Sequence, residues 1–244
     1  ELLKQRCGRY IYISTVAVYD FDAATVFPED ARLAELADPT VEEVTGETYG
    51  PLKAECDRVA RQILGERCTV VRPTYVVGPG DVTDRFTYWV ERVHRGGEVL
   101  APAGPAREAQ WVDVRDLCPW VVTLAENDTP GIFNAAGPAS PVDRAGLMWG
   151  LRAQTAEPVR FHWPGDELLD ELGIDQPMMG RDTSSHFENA ASMAADLRYR
   201  SLADTAAGTL AWWRGLPEER RGNPEGWPTP AQEQAAIERI RAAG

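Results

Sequence analysis

Residues 9–15, RYIYIST, residues 48–66, TYGPLKAECDRVARQILGE, and residues 68–73, CTVVRP, decide the fold of this chain. The first and third stretches are β-branched and aromatic, as buried strands are. The middle stretch places Leu52, Cys56, Val59, Ala60 and Ile63 on one face of a helix. Thr48 is its expected N-cap, Pro51 suits its first turn and Gly65 its stop. Strand, long helix, strand is a βαβ unit, and it implies a parallel sheet.

Working outward, the acidic, proline-punctuated stretch 20–47 reads as loop. Residues 75–81, YVVGPGD, read as a turn. Helices are expected over 83–95 and 114–126, with an extended piece at 107–112 leading into the second. Residues 131–138, GIFNAAGP, read as a short strand and turn. Beyond residue 140, helices near 142–153, 165–172 and 201–214 alternate with extended pieces such as PVRFHW. Leu202, Ala206, Leu210 and Trp213 form an apolar stripe. The stretch PEERRGNPEGWPTP reads as an irregular surface excursion, and a last helix is expected over AQEQAAIERIRAAG.

The totals bound function. The 244 residues carry a net charge of -13, which disfavours a phosphate backbone, so nucleic acid is not an expected partner. No run of about 18 apolar residues suggests a membrane span. Nor does the start show the apolar stretch and cleavage site of a secretory signal, so the expected location is cytoplasmic. Cys7, Cys56, Cys68 and Cys118 form no C-x-x-C pair, and His94, His162 and His186 are scattered. Neither a metal site nor a histidine-based triad is expected. Lys4 and Lys53 are the only lysines, and Arg supplies the other 23 positive charges.

Tyr49 and Lys53 form a Y-x-x-x-K pair. Positions i and i+4 share a helix face, so the phenol and the ammonium can act together. A free phenol has a pKa of about 10 and is a poor base at neutral pH, but a nearby cation favours the phenolate. Such a phenol can move a proton to or from a substrate oxygen. Ser14 and Thr15 end the first strand, where ligands of open α/β sheets bind. A hydroxyl there can stabilise charge building on a substrate oxygen.

I-S-T-V-A-V-Y, then Y-G-P-L-K, then V-R-P-T-Y-V-V-G-P-G-D resemble, in order, the successive motifs of extended short-chain dehydrogenases, the NAD-dependent epimerase/dehydratase family. Q-W-V-D-V-R-D-L, residues 110–117, and G-I-F-N-A, residues 131–135, are similar to later motifs of that family. The resemblance covers roughly residues 1–215. It implies the C-terminal part of a Rossmann-like doubly wound parallel sheet with a smaller, mostly helical substrate-binding lobe. The core is expected at 1–77 and 106–138, the lobe at 78–105 and 139–215, and a tail at 216–244.

The resemblance further implies a nicotinamide cofactor, NAD or NADP, and a hydroxyl or carbonyl substrate. Thr15, Tyr49 and Lys53 match the catalytic residues. Ser14, Tyr49, Lys53, Pro73, Thr74, Tyr75 and Val76 match the cofactor-binding ones. Thr15, Tyr75 and Arg181 are the candidates for contacting a small-molecule substrate. Trp149, Trp163, Met178, Met179 and His186 read as packing or surface.

Departures narrow this. No G-x-G-x-x-G follows a strand, and Gly78-Pro79-Gly80 reads as a plain turn. By resemblance the chain starts just before the family's fifth strand, so a homodimer or another pairing is expected to complete the sheet. Val16-Ala17 stand where 4,6-dehydratases carry Asp-Glu. Ala109 stands where nucleotide-sugar enzymes often carry an Arg, with Arg107 offset. The competing expectation is a non-catalytic dinucleotide-sensing or interaction module built on the same fold.

Overall fold

A computed structural model describes residues 4–180, 185–222, 224 and 226–243. The chain runs through β1 (Tyr10–Ile13), β2 (Val26–Phe27), α1 (Tyr49–Leu64), β3 (Cys68–Pro73), β4 (Tyr75–Val77), α2 (Arg85–His94), β5 (Gly97–Leu100) and β6 (Trp111–Asp113). It continues through α3 (Val114–Glu126), β7 (Gly131–Ala135), α4 (Arg144–Arg152), β8 (Val159–His162), α5 (Asp166–Glu171), β9 (His186–Phe187) and α6 (Ala190–Ala194). It closes with α7 (Leu202–Gly215), α8 (Glu218–Gly222) and α9 (Pro230–Ala243). Two compact units result. One comprises Glu1–Tyr75, Gln110–Ser140 and Ser185–Tyr199, and the other Val76–Ala109, Pro141–Ser184 and Arg200–Gly244.

The first unit is built on a parallel sheet of order β1-β3-β7. Register puts Tyr12 beside Val70 and Val70 beside Ile132. That row packs under Ala60, Ile63 and Leu64 of α1. The next row alternates to the opposite face. It sets Ile13 beside Val71 and Val71 beside Phe133, whose ring meets Trp120 of α3 edge-on at 5.7 Å. Helices therefore cover both faces, as a doubly wound sheet requires.

Two expectations about α1 are revised and one holds. Thr48 stands at the N-cap position, but its side chain makes no capping bond; its hydroxyl donates to the Glu43 carbonyl at 2.6 Å and accepts from the Thr45 N–H at 2.8 Å. Gly65 does end the helix, with φ of 58°, a left-handed turn that glycine takes without strain. The buried residues of α1 are Gly50, Ala54, Asp57 and Leu64, while Cys56 is exposed and Val59 is 37% exposed. The helix is thus rotated away from the purely apolar stripe. The cause is a charged residue: Asp57, fully buried, receives two N–H groups of Arg72, at 3.0 and 2.8 Å.

The stretch 20–47 holds β2, which pairs in parallel with β9. This pairing draws Ser185–Tyr199 into the first unit, away from the lobe expected at 139–215. Asn189 reinforces it by donating to the Ala136 carbonyl at 2.6 Å. The rings of Tyr19, Phe27 and Phe187 stack at centroid distances of 5.2–6.0 Å and fill the space behind.

The second unit has its own core. β5 and β8 pair in parallel, and α2, α4 and α7 pack on one another. The segment expected as a tail belongs here. Ala236 and Ile237 of α9 are buried against Leu100, Leu169 and Ile174. Glu233 accepts from Arg92 at 2.7 Å and from the Leu100 N–H at 2.9 Å. Trp227 donates to the Asp84 carbonyl at 3.0 Å and lies against Trp213 and Tyr88. A sequence rich in Pro and Gly hid these contacts, because two tryptophan and glutamate anchors do the packing that a periodic stripe usually does.

Two variants probe what holds α1. Arg72→Met leaves the buried Asp57 carboxylate without its guanidinium and is expected to cost about 3–5 kcal/mol, read from urea unfolding; adding Asp57→Leu should recover most of it. A Cβ added at Gly50 would lie 2.2 Å from the Ala17 carbonyl oxygen, whereas one at Gly46 meets nothing within 4 Å. Gly50→Ala is therefore expected to destabilise by about 1–3 kcal/mol, and Gly46→Ala by nothing measurable.

Candidate active site

The carboxyl end of β1 supplies the first part of the site. Beyond Ile13, the Ser14 N–H donates to the Val71 carbonyl at 2.7 Å, extending the strand pairing by one step. The Ser14 side chain is 5% exposed and its Oγ has no hydrogen-bond partner. Thr15, in extended conformation with φ of -164°, starts a single 3-10 turn over Val16–Val18. Its Oγ1 accepts from the Ala17 N–H at 3.2 Å, which orients the hydroxyl at the strand end.

The first two turns of α1 supply the second part. Tyr49 is the first residue of the helix and is 42% exposed. Gly50 follows it for a steric reason: here the backbone of α1 comes against the Ala17 carbonyl, where no side chain fits. That contact sets Tyr49 beside the turn opened by Thr15. One helical turn on, the Lys53 ammonium donates to the Ile13 carbonyl at 2.9 Å and lies 4.6 Å from the centre of the Tyr12 ring. Burial pushes the Lys53 pKa below its ordinary value, while Cys56 and Asp57 act against that shift.

The neighbouring strand end supplies the third part. Pro73 is buried opposite Ala135. The Thr74 N–H donates to the Ala135 carbonyl at 3.2 Å. Tyr75 and Val76 are half-buried, and Val76 opens the second unit. Ser14, Thr15, Tyr49, Lys53, Pro73, Thr74 and Tyr75 thus belong to one unit, on segments at the carboxyl ends of β1 and β3 and the start of α1. Arg181 lies outside the described residues. Of the other side chains, Met178 and Met179 are buried and Trp149 is 55% exposed against Phe161.

Sequence reading passed over a set of polar residues directly behind these groups. Arg72 Nη1 donates to the Tyr19 hydroxyl at 3.0 Å and to the Glu29 carbonyl at 2.8 Å. The Tyr19 hydroxyl donates to Asn134 Oδ1 at 2.7 Å, and Asn134 Nδ2 donates to the Phe27 carbonyl at 3.0 Å. Burial pushes the Tyr19 pKa up, and Arg72 only partly offsets it. The signal was present in V-V-R-P, since an arginine inside an apolar strand demands a buried partner. The sequence did not say which carboxylate answers it.

The hydroxyls of Ser14 and Thr15 and the Lys53 ammonium thus stand where the parallel strand β1 ends, the end of such sheets at which ligands bind. Comparison with known proteins agrees with the fold. No curated protein matches the chain in sequence. Among solved structures, the chain is similar to the UDP-glucuronic acid 4-epimerase of Bacillus cereus, solved with NAD, at 14% identity and a TM-score of 0.57, over 86% of this chain and 63% of that one. It is similar to the UDP-glucose 4-epimerase of Thermotoga maritima, solved with UDP-glucose, at 19% identity and a TM-score of 0.58, over 87% of this chain and 65% of that one. A third likeness is the terminal R domain of the myxalamid PKS-NRPS pathway, at 20% identity and a TM-score of 0.60, over 86% of this chain and 59% of that one. The chain spans less than two thirds of each. The profile of the NAD dependent epimerase/dehydratase family matches residues 1–136, more than half of the chain. The protein therefore belongs to the NAD dependent epimerase/dehydratase family.

Proposed function

We infer that this chain carries the proton-transfer and substrate-orienting part of a nicotinamide-dependent oxidoreductase or epimerase acting on a hydroxyl or carbonyl group. The observation that carries the reading is the pair of contacts between β1 and α1. Lys53 reaches the Ile13 carbonyl, and Gly50 lies against Ala17. Together they support a common site for Thr15, Tyr49 and Lys53.

The residues present fit the nicotinamide-ribose end of a dinucleotide. Ser14 Oγ is a buried polar atom with no partner, at a strand end. Lys53 has three donors, and one of them goes to Ile13. A glycine-rich turn for the pyrophosphate has no counterpart in the 244 residues. Ser14, Lys53 and the Pro73–Tyr75 segment would hold the nicotinamide end; the bound group would supply hydride acceptance or donation at carbon. NAD and NADP both suit these residues.

The chain's own part is proton chemistry. Thr15 Oγ1, held by the Ala17 N–H, donates a hydrogen bond to the substrate oxygen and fixes its position. The Tyr49 hydroxyl takes the proton from a substrate alcohol, or returns it to a forming alkoxide. The Lys53 ammonium stabilises negative charge on that phenol oxygen through space. Its partial burial strengthens the effect, because fewer waters screen it.

The test is Tyr49→Phe in the full-length protein. Turnover should fall by about 10²–10⁴-fold, while binding of NAD or NADP, followed by nucleotide fluorescence, stays at the wild-type level. A variant that keeps wild-type turnover removes Tyr49 from the mechanism.

A further inference from the structure

We propose that Asp57 and Arg72 are positioning residues of the Thr15–Tyr49–Lys53 site, acting through the ion pair that joins α1 to β3. The proposal rests on the functional reading above for the importance of that site, but its geometry stands independently. Tyr49, Lys53 and Asp57 succeed one another at four-residue intervals on α1, so they lie along one stripe of the helix. The last of the three is fully buried. Asp57 receives Arg72 Nε and Nη2 on a single oxygen, Oδ2. Two further donations from the same guanidinium, through Nη1, go to the Tyr19 hydroxyl and the Glu29 carbonyl.

One planar cation therefore holds three segments of the site in register. It fixes the turn of α1 that follows Lys53. It fixes Tyr19, at the end of the 3-10 turn that Thr15 opens. It lies in β3 directly before Pro73 and Thr74. Four donations from a rigid fork leave little freedom for any of these segments to slide.

Asp57 also has an electrostatic part. Its other oxygen, Oδ1, is buried without a hydrogen bond, with Arg61 at 3.9 Å. Among the described residues, the groups that act on Lys53 include the Tyr12 ring, the Cys56 thiol and Asp57. Of these, only the carboxylate carries a full negative charge at neutral pH. It favours the ammonium form of Lys53 against the burial that opposes it.

The chain is suited to a direct test because Lys4 and Lys53 are its only lysines. Labelling lysine with carbon-13 and nitrogen-15 gives two side-chain signals, with exposed Lys4 as the internal reference. In the wild type, the Lys53 ε-methylene signal should be displaced by the ring current of Tyr12. In Asp57→Asn it should move toward the Lys4 position, and the proton affinity of Lys53 should fall by up to about tenfold, as removal of a carboxylate one helical turn away implies. Asp57→Glu should restore the proton affinity in large part. The charge-neutral pair Asp57→Asn/Arg72→Gln leaves no orphaned ion and should reproduce the Asp57→Asn shifts.

An unchanged Lys53 signal and an unchanged titration in folded Asp57→Asn would overturn the proposal. So would loss of fold in both the single and the double variant, because the pair would then serve the fold alone. Neither readout needs turnover, so a failure of the enzymatic reading is seen separately, in the Tyr49→Phe assay.

Discussion

The ion pair between Arg72 and Asp57 is the constraint on which the first unit turns. Both side chains are essentially out of water, at 1% and 0% exposure. An isolated charge in that position would cost several kcal/mol. The pair persists because the guanidinium finds its acceptors locally: a carboxylate from the helix, a phenol from the turn after β1, and a carbonyl from the loop near Glu29. Each acceptor comes from a different segment, so satisfying one arginine assembles all of them. The apolar rows below it, Tyr12–Val70–Ile132, supply burial without orientation; the polar row above supplies orientation.

This explains why α1 does not bury its most apolar face. The stripe Leu52–Cys56–Val59 has hydrophobic reason to turn inward, at roughly 25 cal/mol for each Å² removed from water. Turning it in would expose or orphan Asp57 and drive the Gly50 backbone away from Ala17. Partial exposure of one Val and one Cys is a smaller loss than an uncompensated buried carboxylate. The rotation that results lets Lys53 reach the Ile13 carbonyl at the strand end.

The second unit follows the same logic with other residues. Arg92 in α2 is answered by Glu233 from α9, and that carboxylate also accepts the Leu100 N–H at the end of β5. A buried arginine again ties a late segment to an early strand. The segment lacks a strong apolar stripe, and its place in the fold depends on that carboxylate and on Ala236 and Ile237.

Local sequence determined the elements whose own composition is decisive. The βαβ unit, the helix stop at Gly65, the helices over 85–94 and 114–126 and the strand at 131–135 follow from side-chain periodicity and glycine chemistry, which act within a few residues. The spacing of Tyr49 and Lys53 was equally legible, because a helix converts four residues into one face. The pairing of β2 with β9, the rotation of α1, the buried polar set of Asp57, Arg72, Tyr19 and Asn134, and the docking of α9 were decided only by tertiary structure. Each joins residues tens of positions apart, and a single sequence does not say which of its 38 acidic side chains will be the one that a buried guanidinium meets.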